Sequence, residues 1–129
     1  MILVTGGAGY IGSHTVHELL KDNMDVIVLD NLSNSSEEAL KRVSILANKQ
    51  VRFIKGDIRS HDTLLKIFTK NKIDAVIHFA GLKSVSESVS KPLEYYDNNL
   101  FGSVQLLRVM SEFNVKNIVF SSSATVAIT

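Results

Sequence analysis

Five short apolar runs, at residues 2–4, 26–29, 51–54, 75–79 and 117–120, alternate along the chain with four longer stretches in which apolar residues recur every three or four positions. No other feature constrains the fold as strongly. Runs of this length, rich in valine, isoleucine and phenylalanine, read as strands, and the stretches at residues 11–21, 36–47, 62–71 and 92–113 read as helices. Strictly alternating strands and helices require right-handed crossovers, which build a parallel sheet with helices on both faces. The expected class is therefore α/β. Continuous rather than alternating apolar runs suit strands buried on both sides.

Helix starts are marked too. Ser35, with Glu38 three residues on, forms a capping box, and Ser60 or Asp62 can cap the third helix. Pro92 takes a first-turn position, where an N–H donor is not needed. Beyond it Leu93, Tyr96, Leu100, Val104, Leu107 and Met110 form an apolar stripe at spacings of three and four.

With 129 residues, 45% of them hydrophobic, the chain can bury one ordinary core, so a single domain over residues 1–129 is expected. Lysine and arginine (14) nearly balance aspartate and glutamate (13), which leaves no strong field to draw nucleic acid or an anionic membrane. An anion must be held locally. The longest apolar runs, four or five residues, fall far short of the roughly 20 that span a bilayer, and Met1 leads directly into a strand. A cytoplasmic protein is the simplest expectation. Without cysteine there is no thiolate metal site, and His14, His17 and His61 have no metal-ligand spacing, so no metal is expected.

In open α/β sheets ligands bind beyond the carboxyl ends of the strands. After the first strand stands "TGGAGYIGSH", with Gly6, Gly9 and Gly12 spaced three apart before a helix. Residues without side chains let backbone amides approach a diphosphate, and the helix N-terminus adds partial positive charge. Such turns also occur without a ligand. Here, however, Asp30 follows at the end of the second strand, where a carboxylate can accept from an adenosine ribose and repels a 2′-phosphate. NAD is favoured over NADP, because no arginine adjoins Asp30 in the sequence. A P-loop is excluded: Ser13, not lysine, follows Gly12. Asp57 in "GDI" is placed to meet an adenine amino group or to serve a surface turn. Ala80 and Gly81 in "HFAGLK" allow close backbone approach to a cofactor, while His78 reads as a satisfied strand-end histidine.

Taken together, "TGGAGYIGSH", "LDNLSNS", "GDIR", "VIHFAGLKSVSESVSKPLEYYDNN" and "IVFSSSATV" resemble the amino-terminal half of the UDP-glucose 4-epimerases, which are extended short-chain dehydrogenases/reductases. The resemblance runs from Met1 to about Val126, and its "HFAGLKSV" and "KPLEYYDNN" stretches are the most specific. It implies a Rossmann-type sheet in strand order 3-2-1-4-5. It also implies interconversion of UDP-glucose and UDP-galactose through a 4-keto intermediate on tightly bound NAD, the chemistry of galactose metabolism. Gly6, Gly9, Tyr10, Ile11 and Gly12 would hold the diphosphate, and Asp30 and Asn31 the adenosine ribose, with Leu32, Ser33, Asn34 and Ser35 lining that pocket. Asp57 and Ile58 would meet adenine. Phe79, Ala80, Gly81, Leu82 and Lys83 would pass along the cofactor, and Asn98 would brace it.

Ser123 matches the family's catalytic serine, whereas Ser121 and Ser122 read as strand-end hydrogen-bonders and Tyr95 and Tyr96 as helix packing. The family's Tyr-x-x-x-Lys pair, base and pKa-lowering lysine, has no match after Ser123, and residues 127–129 depart from the pattern. The substrate lobe is missing as well. The chain alone is thus expected to bind NAD without epimerising. Rival readings are a fragment of another nucleotide-sugar epimerase or dehydratase, and a non-catalytic dinucleotide-binding module. An uncovered fifth strand and, by resemblance, a dimer-forming helix from Pro92 lead us to expect a homodimer or other self-association.

Overall fold

The computed structural model describes residues 1–32, 36–79 and 101–120. Strands β1 (Ile2–Thr5), β2 (Val26–Asp30), β3 (Arg52–Lys55), β4 (Ala75–His78) and β5 (Asn117–Phe120) are separated by helices α1 (Tyr10–Lys21), α2 (Glu38–Ala47), α3 (His61–Lys70) and α4 (Gly102–Glu112). The strands pair in parallel in the order β3-β2-β1-β4-β5. This is the expected Rossmann-type order.

Successive strand residues point to opposite faces, and the core divides accordingly. Leu3, Ile27, Leu29 and Val76 face α3 and α4, where they meet Leu64, Ile67, Leu106 and Val109. Val4, Val26 and Val28 face α1 and α2, where Val16, Leu20, Leu40 and Val43 cover them. Every residue of β2 is buried, whereas the outer strands β3 and β5 are half-buried or exposed. Short apolar runs without alternation are the sequence imprint of that two-sided burial.

Three helices end alike. Asn23, Asn48 and Asn114 adopt left-handed φ of 61°, 53° and 58° just past α1, α2 and α4. Asparagine tolerates that conformation better than most residues, and the turn satisfies terminal carbonyls, as when Met24 N–H donates to Leu19 (3.1 Å). At the other ends, Ser60 caps α3, its Oγ accepting from Thr63 N–H at 3.3 Å. The capping box expected at α2 is displaced. Ser35 lies outside the described residues, the N-cap is Glu37 with no side-chain cap, and it is Ser36 Oγ that accepts from Glu38 N–H at 3.2 Å.

A second correction concerns the last helix. Leu93, Tyr96 and Leu100 lie outside the described residues, but Val104 and Leu107 are 39% and 43% exposed, while Leu106, Val109 and Met110 are buried. Apolar residues surround this helix, so periodicity alone offered two faces. Docking chose between them: Gly102 sits so close to Ile58 that a Cβ would stand 2.5 Å from its Cδ1, which turns residues 102, 106, 109 and 110 inward. Leu106→Ala should therefore cost about 2–5 kcal/mol. Val104→Ala should stay within about 0.5 kcal/mol in dilute solution. Urea unfolding of the two variants distinguishes the faces.

Candidate functional site

The carboxyl ends of β1, β2, β3 and β4 form one row. It is stitched by backbone bonds: Gly6 N–H donates to Leu29 (2.8 Å), Gly56 to Asp30 (3.1 Å) and Phe79 to Thr5 (2.7 Å). The glycine turn, Asp30 and Asp57 therefore lie on neighbouring strand ends, in the strand order that the family resemblance implied. Ser33, Asn34, Ser35, Ala80, Gly81, Leu82, Lys83, Asn98 and Ser123 lie outside the described residues.

The three spaced glycines have different reasons. Gly6 has φ of 73°, a conformation L side chains rarely adopt. At Gly12 a Cβ would collide with the Gly6 carbonyl oxygen, so the close approach is of α1 onto its own preceding turn rather than onto the strand. Gly9 is unlike both. Its φ and ψ of −72° and 174° are ordinary, and an added Cβ would only touch Gly6 O at 3.5 Å. The protein's own packing does not require glycine there.

Gly9 is also the N-cap of α1, which has no capping side chain and no acidic residue in its first turn. The first amides of a helix lack intrahelical acceptors, and the dipole concentrates positive charge among them. A bare helix N-terminus beside a residue with no side chain forms a cradle suited to an anion. Tyr10 and Ile11 flank it, 82% and 45% exposed, and the Tyr10 ring meets His14 edge-on at 4.8 Å.

Asp30 is buried and ties the row together. Its Oδ2 accepts from Ala8 N–H at 3.0 Å, and its Oδ1 accepts from Leu32 N–H at 2.8 Å. The second bond holds Leu32 at a φ of 61°, a left-handed conformation costing a non-glycine residue about 1–2 kcal/mol. Sequence reasoning assigned Asp30 to a ligand. Its anchoring of the turn required the fold to be seen, because Ala8 and Asp30 are 22 residues apart.

At the end of β3, Asp57 is gripped by Arg59. Arg59 N–H donates to Oδ1 at 2.9 Å, Nε–H to Oδ1 and Oδ2 at 3.1 and 3.2 Å, and Nη2–H to Oδ2 at 2.8 Å. Partial burial raises the Asp57 pKa, but the Arg59 hydrogen bonds and charge, with a hydrogen bond from Asn31, outweigh it and hold the carboxyl below its ordinary value. Arg59 is a residue the sequence reading left without a role. The fold brings this cation to the strand-end row, where its guanidinium is engaged with Asp57.

Ile58 and Phe79 are buried in opposite cores, so only their main chains face the row. His78 is satisfied, as its position suggested: Nδ1 shares a 2.6 Å hydrogen bond with Thr5 Oγ1, Nε2 shares one of 3.0 Å with Ser103 Oγ, and Phe120 meets the ring edge-on. A cavity of about 480 Å³ opens at the other end of the sheet, between Met1, Asn23, Lys49 and Arg52. Lys49 Nζ donates there to the Leu20 carbonyl and Asn23 Oδ1, closing the end of α1. Among the described residues no cluster of three or more His, Cys, Asp or Glu could hold a metal, and no helix is long and apolar enough to cross a membrane.

Residues 2–127 match the NAD dependent epimerase/dehydratase family. A UDP-glucose 4-epimerase of Pasteurella multocida is 62% identical over 125 residues, covering 97% of this chain and 37% of the relative. Among solved structures, the Bifidobacterium longum UDP-glucose 4-epimerase in complex with NAD+ and UDP superposes with a TM-score of 0.93 at 56% identity. The Stenotrophomonas maltophila UDP-glucose 4-epimerase with bound NAD and formylated UDP-arabinopyranose gives 0.92 at 45%. Each covers 97% of this chain, which spans about 37% of their length.

The Asp57–Arg59 pair has a pH signature. Because the folded pKa of Asp57 is depressed, its contribution is present above the unfolded value of 3.8 and is lost as pH falls through the folded one. Solvent screens this half-exposed pair, so Arg59→Ala should cost only about 0.5–1 kcal/mol near pH 7. The difference from the parent chain should fade in acid, which urea melts across pH 2–7 would show.

Proposed function

This chain belongs to the NAD dependent epimerase/dehydratase family, and on that premise we propose that it is the dinucleotide-binding part of a UDP-glucose 4-epimerase. The observation that carries the reading is the cradle at Gly9. A glycine without a conformational or packing requirement, at the bare N-terminus of α1 and beside the Asp30 row, fits a diphosphate that passes against the backbone. Relatives and solved neighbours that share this sequence are named as UDP-glucose 4-epimerases, two of them with NAD in place.

The residues suit the group they would hold. The amides of Tyr10, Ile11 and Gly12 face the diphosphate, and the Asp30 carboxylate accepts from the adenosine ribose hydroxyls. A carboxylate offers about four acceptor positions, so its bonds to Ala8 and Leu32 do not by themselves exhaust it. The strained Leu32 carries the chain into the stretch 33–35 that would line the ribose pocket. Asp57 meets the adenine amino group, with Ile58 contributing its main chain. Along the other half, Phe79, Ala80, Gly81, Leu82 and Lys83 are proposed to pass the cofactor and Asn98 to brace it, as the family resemblance implies. Bound NAD would supply a hydride acceptor and donor for the sugar C4.

Ser123 would hydrogen-bond the reacting sugar oxygen. The 129 residues contain no tyrosine or lysine after it to serve as the proton-transferring pair. By themselves they are therefore proposed to bind NAD without turnover, since a missing general base costs roughly 10²–10⁴-fold. The exposed face of α4, with Phe101, Val104 and Leu107, supports self-association of the chain. Leu107→Glu should then shift a dimer toward monomer in sedimentation runs.

Calorimetric titration of NAD+ tests the reading directly. Asp30→Ala is an ambiguous probe, because it also orphans the buried amide of Ala8 and that of Leu32, at about 1–3 kcal/mol each. Gly9→Ala is cleaner. It should keep the parent's melting temperature while weakening NAD+ binding about tenfold, or roughly 1.4 kcal/mol. Saturable binding with no UDP-galactose conversion is the expected outcome; no binding by the folded chain, or clear conversion, overturns the corresponding half of the proposal.

A further inference from the structure

Asp57 and Arg59 are two residues apart, yet their contact goes well beyond a surface ion pair. The Arg59 amide closes a turn onto Oδ1, which fixes the direction of the Asp57 side chain. Its guanidinium then reaches both carboxylate oxygens through Nε and Nη2, which fixes the plane of the carboxylate. Asn31, at the end of the neighbouring strand, adds a hydrogen bond to the same group. A carboxylate needs only one such bond to be satisfied. Two residues, Arg59 and Asn31, and both of its rotational freedoms are committed here to a side chain that remains 27% exposed.

We infer that Arg59 is a specificity-determining residue: by clamping the Asp57 carboxylate in one orientation, it makes the site select a purine with an amino group at C6 over one with an oxo group. The inference rests on the proposed place of Asp57 opposite the adenine of a dinucleotide. An ionised carboxylate is an acceptor only. Facing an amino group it gains a charge-assisted hydrogen bond; facing a C6 oxygen it sets two acceptors against each other with no proton between them. That rejection lasts only while the carboxylate can neither turn aside nor take up a proton. Arg59 prevents the first, since its fork holds the plane, and its hydrogen bonds and charge further favour the ionised form that an aspartate already has near neutral pH. Lysine could supply the charge but not the planar fork. An arginine serving only to stabilise the turn would affect all ligands of the site alike.

The experiment measures binding of NAD+ and of nicotinamide hypoxanthine dinucleotide, which differ in the amino or oxo group at C6 and in the proton that the oxo form carries on N1, a donor that only a carboxylate free to turn could reach, to the chain and to Arg59→Ala, Arg59→Lys and Asp57→Asn. The parent chain should prefer NAD+ by about tenfold or more, the scale of one hydrogen bond to a charged group. Asp57→Asn should bring the two close to parity, because an amide can donate to an oxo group as readily as it accepts from an amino group. Arg59→Ala should narrow the preference to about threefold or less, with Arg59→Lys between it and the parent. Melting temperatures verify that each variant is folded; Arg59→Gln replaces an Arg59 variant that is not, and Asp57→Ala replaces Asp57→Asn in the same case. A preference left intact in the Arg59 variants while Asp57→Asn removes it overturns the clamp and leaves the cofactor reading standing. Binding of neither dinucleotide by the folded parent chain overturns both.

Discussion

The carboxylate of Asp30 accepts hydrogen bonds from two backbone amides that flank it in space, Ala8 at 3.0 Å and Leu32 at 2.8 Å. One bond draws the glycine turn after β1 against the end of β2; the other bends the chain leaving β2 into a left-handed residue. Much of the site depends on this one buried acid. Without it the turn that positions α1's bare N-terminus would be tied to the second strand only through the backbone bond from Gly6 to Leu29, and the chain beyond Asp30 would lose the contact that offsets the strain at Leu32. The residue proposed to receive a ligand is thus also the residue that holds the two turns around it together.

Around that acid the sheet supplies rigidity at little local cost. The inner strands are covered on both faces, so their ends are held by two separate cores rather than by the loops they feed. Thr5, His78 and Ser103 extend the arrangement across the sheet in a chain of hydrogen bonds from β1 through β4 to α4. Polar groups buried in this way specify one registry of helix on sheet only if all are satisfied, as the two ring nitrogens of His78 are. The Asp57–Arg59 pair plays a comparable part at the β3 end, where both side chains stay partly exposed.

The five strands and four helices were legible because their periodicities come from burial on one face or two, and burial leaves its mark residue by residue. Boundaries shifted by one or two positions, as when β3 proved to begin at Arg52 and β1 to include Thr5. Which face of α4 turns inward was not legible, for a definite reason. Val104 and Leu107 are as apolar as Leu106 and Val109, and what separates them is the contact of Gly102 with Ile58, a residue more than forty positions earlier. In the candidate site, Gly6, Gly12, Asp30 and Asp57 were singled out by type and position, but the structural reasons differ from glycine to glycine, and Arg59 passed unremarked although it stands in the quoted "GDIR". An arginine two residues after an aspartate has no distinguishing mark until both side chains are seen to meet.

By itself the sequence determined the alternation of strands and helices, the glycine turn between the first strand and its helix, and the acid at the end of the second strand. Those are local properties, set by the steric needs of one turn and by which residues shun water. Only the tertiary structure decided which face of α4 is inward, that Asp30 bonds Ala8 across 22 residues, and that Arg59 holds the plane of Asp57. Each of these depends on distances between elements, and such distances are settled by the packing of the whole sheet and its helices rather than by any stretch of chain that could be read alone.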